Sequence, residues 1–520
     1  MVAYAVALAA LCFAPAPDDE LICVAPDRWA FCTAETKQRF VPFGTSFVLA
    51  DKRYLNTFDP ELFDKRYYNR LLGACAGLGL NVVRVFLPIS AVLPDPQAPG
   101  EARIAPGYLE NLDEFLRLCR AHHMRAIVAL APWGGNKLRW WHEGGEYFGR
   151  HPWKADAGVD SVDVLCRFWA KLCAHLRGNP AVFAYSPCVE WSLPNMNLTW
   201  LPPGEQRGRV TTAPGLWYWR AFVRAKYGTV AALNRAWGTA YREFDEVPLV
   251  DYTWDGKRKR YADPERKILD YQNFREWASL RYLRPQIAAI RAADPTHLVT
   301  ISNHGRQPFG LWEGAAQHFM GLSIPEQAPL VDFYTIHHNE SEAAMRRRGW
   351  TLREVCRALV LGLRFCCARE VKPVLLEEFS FAADDPQRSA AGQEQMVRAS
   401  LGHCSGWMTW YLQFPARRSQ ADPAQGKSFV LDENLAPSPW GRRAQELSRP
   451  GGLLWRESAR RLPARQVVAL RREEELLAKG PGTMLNIIRR WEGYSHPLDF
   501  RWPRNPDIAL RLKGEREGGY

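Results

Sequence analysis

Eight short apolar runs recur along this chain, and helical patterns separate most of them. The runs are Val41–Ser46, Asn81–Phe86, Arg125–Leu130, Ala181–Ser186, Leu298–Ser302, Val331–Ile336, Pro373–Glu377 and Gly406–Tyr411. Each is too short to be a helix and rich enough in Val, Ile, Leu, Phe and Ala to be a strand buried on both faces. Between them, Tyr67–Leu78, Leu109–His122, Val162–Leu176, Tyr271–Ala293 and Leu352–Ala368 carry apolar residues three and four apart. In Leu109–His122, for example, Leu112, Phe115, Leu116 and Cys119 fall on one face. Strands alternating with amphipathic helices imply parallel pairing. Eight such units predict an α/β fold, a closed (β/α)₈ TIM barrel; the alternative is an open doubly wound sheet.

The remainder of the chain decorates that barrel. Ile22–Phe40 alternates around Trp29 and Phe31 and reads as a hairpin capping the barrel's bottom. A long insertion after strand four, roughly Trp191–Asp270, carries Trp200, Trp217, Trp219, Trp237 and Trp254. Loops after barrel strands build the active-site face, so this insertion is either a substrate wall or a self-packed subdomain. The catalytic barrel with its hairpin is assigned to 21–447. Residues 448–520 lose the alternation, are Arg-rich, and form a C-terminal appendage. The first sixteen residues are apolar and end in an Ala-x-Ala pattern resembling a signal-peptide cleavage site, which points to a secreted or periplasmic protein; the alternative is a tethered N-terminal helix or strand in a cytoplasmic one.

Composition excludes several classes. The formal net charge is +12, but more than half of the excess lies after Gly441 and accompanies no zinc-finger spacing or basic zipper, so nucleic acid is not an expected partner. None of the 12 Cys forms a C-x-x-C pair. His122-His123 and His337-His338 lack two-ligand helical spacing. No metal and no cofactor is therefore expected. No apolar stretch is long enough for a transmembrane helix, so no membrane partner is expected either. The 21 Trp favour carbohydrate, because sugar C–H faces pack well on indole rings.

Two strand ends carry carboxylates. The fourth run leads into Val189-Glu190-Trp191, and the seventh ends in Leu376-Glu377-Glu378-Phe379. Desolvating a carboxylate is costly, and a pair facing one another across a barrel mouth gives that cost a purpose. Glycoside hydrolysis needs one carboxyl protonated and one ionised, and differing environments push two pKa values apart.

At these residues the chain resembles the clan A glycoside hydrolases, especially families 5 and 42, over about Val24–Arg443. Pro373-Val-Leu-Leu-Glu-Glu-Phe379 is the most specific segment, and Leu233–Tyr241 followed by Pro248 looks like family 42 in particular. The resemblance implies Glu378 as nucleophile and Glu190 as acid/base in a retaining double displacement on β-linked glycosides or polysaccharides. It places Arg84 beneath the nucleophile, His337 lining the site after strand six, and Trp410 as a sugar platform. Trp133 and Asn303, ending strands three and five, complete the expected substrate-binding set. Strand alternation predicts that only one of Glu377 and Glu378 faces the mouth. The family's Asn before the acid/base is Val189 here, and His337 or Asn303 is the expected replacement for its bond to the sugar 2-hydroxyl. Val189 also motivates the rival reading, a carbohydrate-binding barrel without catalysis.

Overall fold

The computed structural model describes residues 19–51, 53, 56–94, 102–131, 161–189, 214–250, 254–255, 260–261, 263–303, 324–366, 370–413 and 428–457. Eight parallel strands make the central sheet: β1 (Phe43–Ser46), β2 (Val82–Pro88), β3 (Arg125–Ala131), β4 (Val182–Ser186), β5 (Leu298–Val299), β6 (Tyr334–Ser341), β7 (Val374–Ala382) and β8 (Gly406–Thr409). Their spatial order is β5-β4-β3-β2-β1-β8-β7-β6. The remaining seam, between β5 and β6, is closed outside the regular ladder. Asp332 N donates to Val299 O at 2.8 Å, Asp332 accepts from Val299 N at 2.7 Å, and Thr300 Oγ1 donates to Phe333 O at 2.9 Å. Thr335 Oγ1 donates to Ile301 O at 2.7 Å. The fold is the expected (β/α)₈ barrel.

All seven residues of β2 and of β3 are buried, as continuous apolar runs require when helices cover the outside and side chains fill the inside. The outer layer begins with α1 (Lys65–Gly77), α2 (Tyr108–Ala121) and α3 (Ser161–Leu176). Asp64 caps α1 by accepting from Tyr67 N. In α2 the predicted stripe of Leu112, Phe115, Leu116 and Cys119 is buried against the barrel.

Inside the barrel the chemistry is layered. At the bottom, Val82, Ile127, Phe183, Leu298, Phe333, Leu375 and Met408 meet Phe31 and Phe40 of the N-terminal antiparallel strands. Phe31 sits edge-on to Phe183 and Phe333, with ring centroids 5.1 and 5.3 Å away. The expected hairpin cap is therefore an aromatic plug. At the top, Val48, Phe86, Ala129, Ala131, Val189 and Tyr411 form a second apolar group. Arg84 lies between Val82 of the plug and Phe86 of the rim, on the same inward face of β2.

In the insertion, the described part is a self-packed subdomain. Helices α4 (Pro214–Tyr227) and α5 (Val230–Trp237) pack on the long α6 (Glu265–Ala293). Trp219 stacks on Trp237 at 5.8 Å and meets Tyr271 edge-on at 5.1 Å. Both indoles are buried, so these two are core and not a substrate wall. No helix among the described residues is long and apolar enough to cross a membrane. The signal-like residues 1–16, Trp200, and the appendage from 458 onward lie outside the described residues.

Candidate active site

The site grows from one irregularity in β7. Leu375 points into the barrel and packs in the bottom plug, while Leu376 points outward into the core beneath the helices. Strict alternation would then put Glu377 inside and Glu378 outside. Instead the pairing slips. Ile336 of β6 pairs with Leu376, but the next residue, His337, pairs with Glu378. The register against β8 shifts over the same stretch, between Leu376 and Phe379. Two residues of β7 thus oppose one of β6, a β-bulge, which re-aims a side chain and is common beside active sites. Glu377 and Glu378 both face inward, and Phe379 returns to the outer core. This corrects the expectation that only one glutamate faces the interior.

Both carboxylates converge on Arg84, which is fully buried. Arg84 Nη1 lies 2.8 Å from Glu377 Oε2, and Arg84 Nη2 is bonded to Glu378 Oε1. His337 sits between them, its Nε2 3.0 Å from Glu377 Oε2 and its Nδ1 3.3 Å from Glu378 Oε2. Ser302 Oγ accepts from Arg84 Nη1 at 3.1 Å. Asn339 donates to Glu378 Oε2 at 3.4 Å and accepts from Ser380 Oγ at 2.8 Å. Burial pushes the Glu377 carboxyl up, but the Arg84 charge and hydrogen bonds from His337 and Ser302 outweigh it and hold the group below the ordinary carboxylate range.

The sequence-predicted residues divide. Arg84, His337 and Glu378 are brought together, with Arg84 directly beneath Glu378 as expected. His337 is fully buried and lies within 3.3 Å of both carboxylates. Asn303 lies apart from this cluster, past the end of β5. Its amide exchanges hydrogen bonds with Gln327 at 3.0 and 2.9 Å and donates to Thr335 O at 3.0 Å, and the residue is buried, so it belongs to the β5–β6 seam. Trp410 follows β8, half-buried against the apolar rim, and its peptide bond to Tyr411 is cis. Val189 packs into that same rim. Glu190 and Trp133 lie outside the described residues. Ser302 and Asn339 were not among the expected site residues, and Glu377 was not expected to share the interior with Glu378. For Asn339 the signal existed: two residues beyond His337 on one strand is the same face. No cluster of three or more His, Cys, Asp or Glu able to hold a metal occurs among the described residues.

A family model described as beta-galactosidase, glycoside hydrolase family 42, matches residues 214–338. This stretch includes α4, α5, α6, β5 and the first part of β6. A beta-galactosidase from Thermus thermophilus is 38% identical over 161 residues, covering 26% of this chain and 24% of that protein. The chain thus matches about a quarter of that relative's length. The exo-beta-1,4-mannosidase Op5Man5 from Opitutaceae bacterium strain TAV5 superimposes with a TM-score of 0.51 at 14% identity, over 82% of this chain and 62% of that one. A GH5_18 protein from Streptomyces cattleya, in complex with GlcNAc, gives 0.51 at 15% identity over 82% and 84%. The chain resembles the clan A glycoside hydrolases of families 5 and 42. At these identities the solved structures speak for the fold. In a clan A barrel the functional groups gather at the C-terminal ends of the strands. Arg84, His337 and the two glutamates lie in the middle layer of the barrel, above the aromatic plug and directly below the rim at that end.

Proposed function

We propose that this chain is a retaining glycosidase acting on β-linked glycosides, with Glu378 as nucleophile and Glu190 as acid/base. The observation that carries the reading is Glu378 held inside the barrel by a buried guanidinium. That contact keeps a carboxylate ionised in a desolvated place, which is what a nucleophile needs. In the first step Glu378 attacks the anomeric carbon while Glu190 protonates the leaving oxygen. In the second, Glu190 takes a proton from water, which releases the sugar from Glu378 with retained configuration. The two carboxyls are then expected about 5–5.5 Å apart. Trp410 at the rim supplies an indole for the sugar's C–H face.

The relatives carry the names beta-galactosidase and exo-beta-mannosidase, so galacto- and manno-configured aryl β-glycosides head the substrate panel, followed by gluco- and fuco-configured ones. The test is mass spectrometry after incubation with the matching 2-deoxy-2-fluoro glycosides. One sugar mass added to the wild type, on the peptide containing Glu378, supports the reading. Glu378→Gln should take up no label and lose about 10⁴-fold or more in turnover. Label on the Glu377 side chain would reverse the roles of the two neighbours. Val189 supports a second reading, a carbohydrate-binding barrel without catalysis. There, sugar binding persists while neither label nor turnover appears with any member of the panel.

A further inference from the structure

The bulge places one more carboxylate beside Arg84 than the proposed chemistry uses. Glu377 is fully buried, and Arg84 and His337 both reach it through Oε2. Among the described residues, the charged or titratable groups at this cluster are Arg84 from β2, His337 from β6, and Glu377 and Glu378 from β7. Ser302 and Asn339 are neutral. Two carboxylates against one guanidinium leave a net negative charge in a desolvated place, which is expensive.

The hydrogen-bond geometry shows where a compensating proton fits. Arg84 Nη1 has two hydrogens, and its two shortest contacts here are Glu377 Oε2 at 2.8 Å and Ser302 Oγ at 3.1 Å, with His337 Nε2 farther at 3.2 Å. Ser302 in turn donates to Glu377. His337 Nε2, 3.0 Å from Glu377 Oε2, is then best placed as a donor. On the other side of the ring, Nδ1 faces Glu378 Oε2 at 3.3 Å. A neutral imidazole has one donor and one acceptor nitrogen, and only the imidazolium donates from both.

We propose that His337 is held as an imidazolium bridging Glu377 and Glu378, and that Glu377 is a positioning residue whose charge keeps it so. The buried quartet is then neutral, with Arg84 and His337 positive and both glutamates negative. Glu378 meets a cation at each oxygen: Arg84 at Oε1 and His337 at Oε2. Glu377 touches no reacting atom. It acts through His337 and Arg84. The inference rests on the proposed role of Glu378 only for its catalytic consequence, because the protonation state is a property of the resting protein.

The experiment is nitrogen-15 NMR of the histidine-labelled full chain, with the His337 signal identified by its loss in His337→Gln. Both ring nitrogens of wild-type His337 should show imidazolium shifts at pH 8. In Glu377→Gln the counter-charge is gone, and the His337 titration should fall by about one to three pH units. The Glu377→Gln pH profile of kcat/KM should gain an inflection at that new value, absent from the wild type. A neutral ring in the wild type at pH 8, with one nitrogen unprotonated, overturns the proposal. An unchanged titration in a folded Glu377→Gln does so too. If that variant does not fold, the wild-type spectrum decides alone. A protein that hydrolyses no glycoside still reports the His337 signal, so failure of the enzymatic reading and failure of this one are told apart.

Discussion

Asn339 shows how much of this site is set by single side chains. Its amide nitrogen reaches Glu378 Oε2 at 3.4 Å, and its amide oxygen is fixed by Ser380 at 2.8 Å. Ser380 thereby orients the amide so that its donor end faces the carboxylate. Asn339→Ala should lower kcat about tenfold, equivalent to about 1.4 kcal/mol, with KM changed far less, because the bond is made to the enzyme's own nucleophile. Steady-state kinetics on the best aryl glycoside checks this. A loss confined to KM would place Asn339 on the substrate instead. The Glu377-Glu378 pair was legible because carboxylates ending an apolar run demand a reason, whereas the choice of Glu378 and the place of Arg84 beneath it came from the family resemblance. Glu377 was legible as a residue but not as an inward-facing one. Its direction depends on a slipped pairing with two neighbouring strands, and no single-strand pattern contains that information.

Among the elements, β7 carries the site and is braced from outside by α7 (Pro439–Ser448). Ser438 caps α7 by accepting from Gly441 N, with Pro439 in the first turn. Trp440 is buried edge-on to Phe379 at 5.7 Å, and its Nε1 donates to Thr409 Oγ1 at 2.9 Å. One indole therefore ties β7 and β8 together just behind the glutamates. Trp440→Ala should cost about 3–5 kcal/mol, read as a lower denaturation midpoint in urea. At the other side of β8, Gly44 of β1 lies so close to β2 that an added Cβ would sit 1.9 Å from Val82 O. Gly44→Ala should destabilise by about 1–3 kcal/mol or more, and a melting temperature equal to the wild type's would show that the strands part freely. The strands and helices themselves were largely readable from periodicity. β6 and β7 run beyond their predicted runs, to Ser341 and Ala382, because His337-His338-Asn339 and Glu377-Glu378 interrupt the apolar patterning that marks a strand.

Across the whole molecule, buried polar networks pin the outer layer to the barrel. Asp294, the C-terminal cap of α6, accepts from Thr296 and from the Tyr185 hydroxyl of β4, and pairs with His297 at 2.5 Å. His297 Nε2 is 2.9 Å from Asn179 O, just before β4. Burial raises the Asp294 carboxyl, but hydrogen bonds from His297 and Thr296, the His297 charge and the Tyr185 hydroxyl hold it well below the ordinary range. A depressed carboxyl contributes stability that is complete above its unfolded value, about 3.9, and is lost as pH falls through the folded value. Asp294→Asn should therefore cost about 2 kcal/mol at pH 7. Its stability should also decline less steeply than the wild type's below about pH 4, measured by urea unfolding at a series of pH values. Parallel curves for the two proteins would assign acid sensitivity elsewhere. Periodicity pointed to the barrel and its bottom plug. It could not separate Trp219 and Trp237 of a subdomain core from Trp410 at the rim, since an indole's composition is the same in both places and only its neighbours differ.

Seven of the eight strand junctions are backbone ladders, whose hydrogen bonds come from the main chain. The β5–β6 seam is different: Asp332, Thr300, Thr335, Asn303 and Gln327 supply most of its bonds. Closure of the ring is consequently written in the alphabet of side chains at one place alone among the described strands. There, removing one side chain removes a closing bond that no backbone ladder backs up.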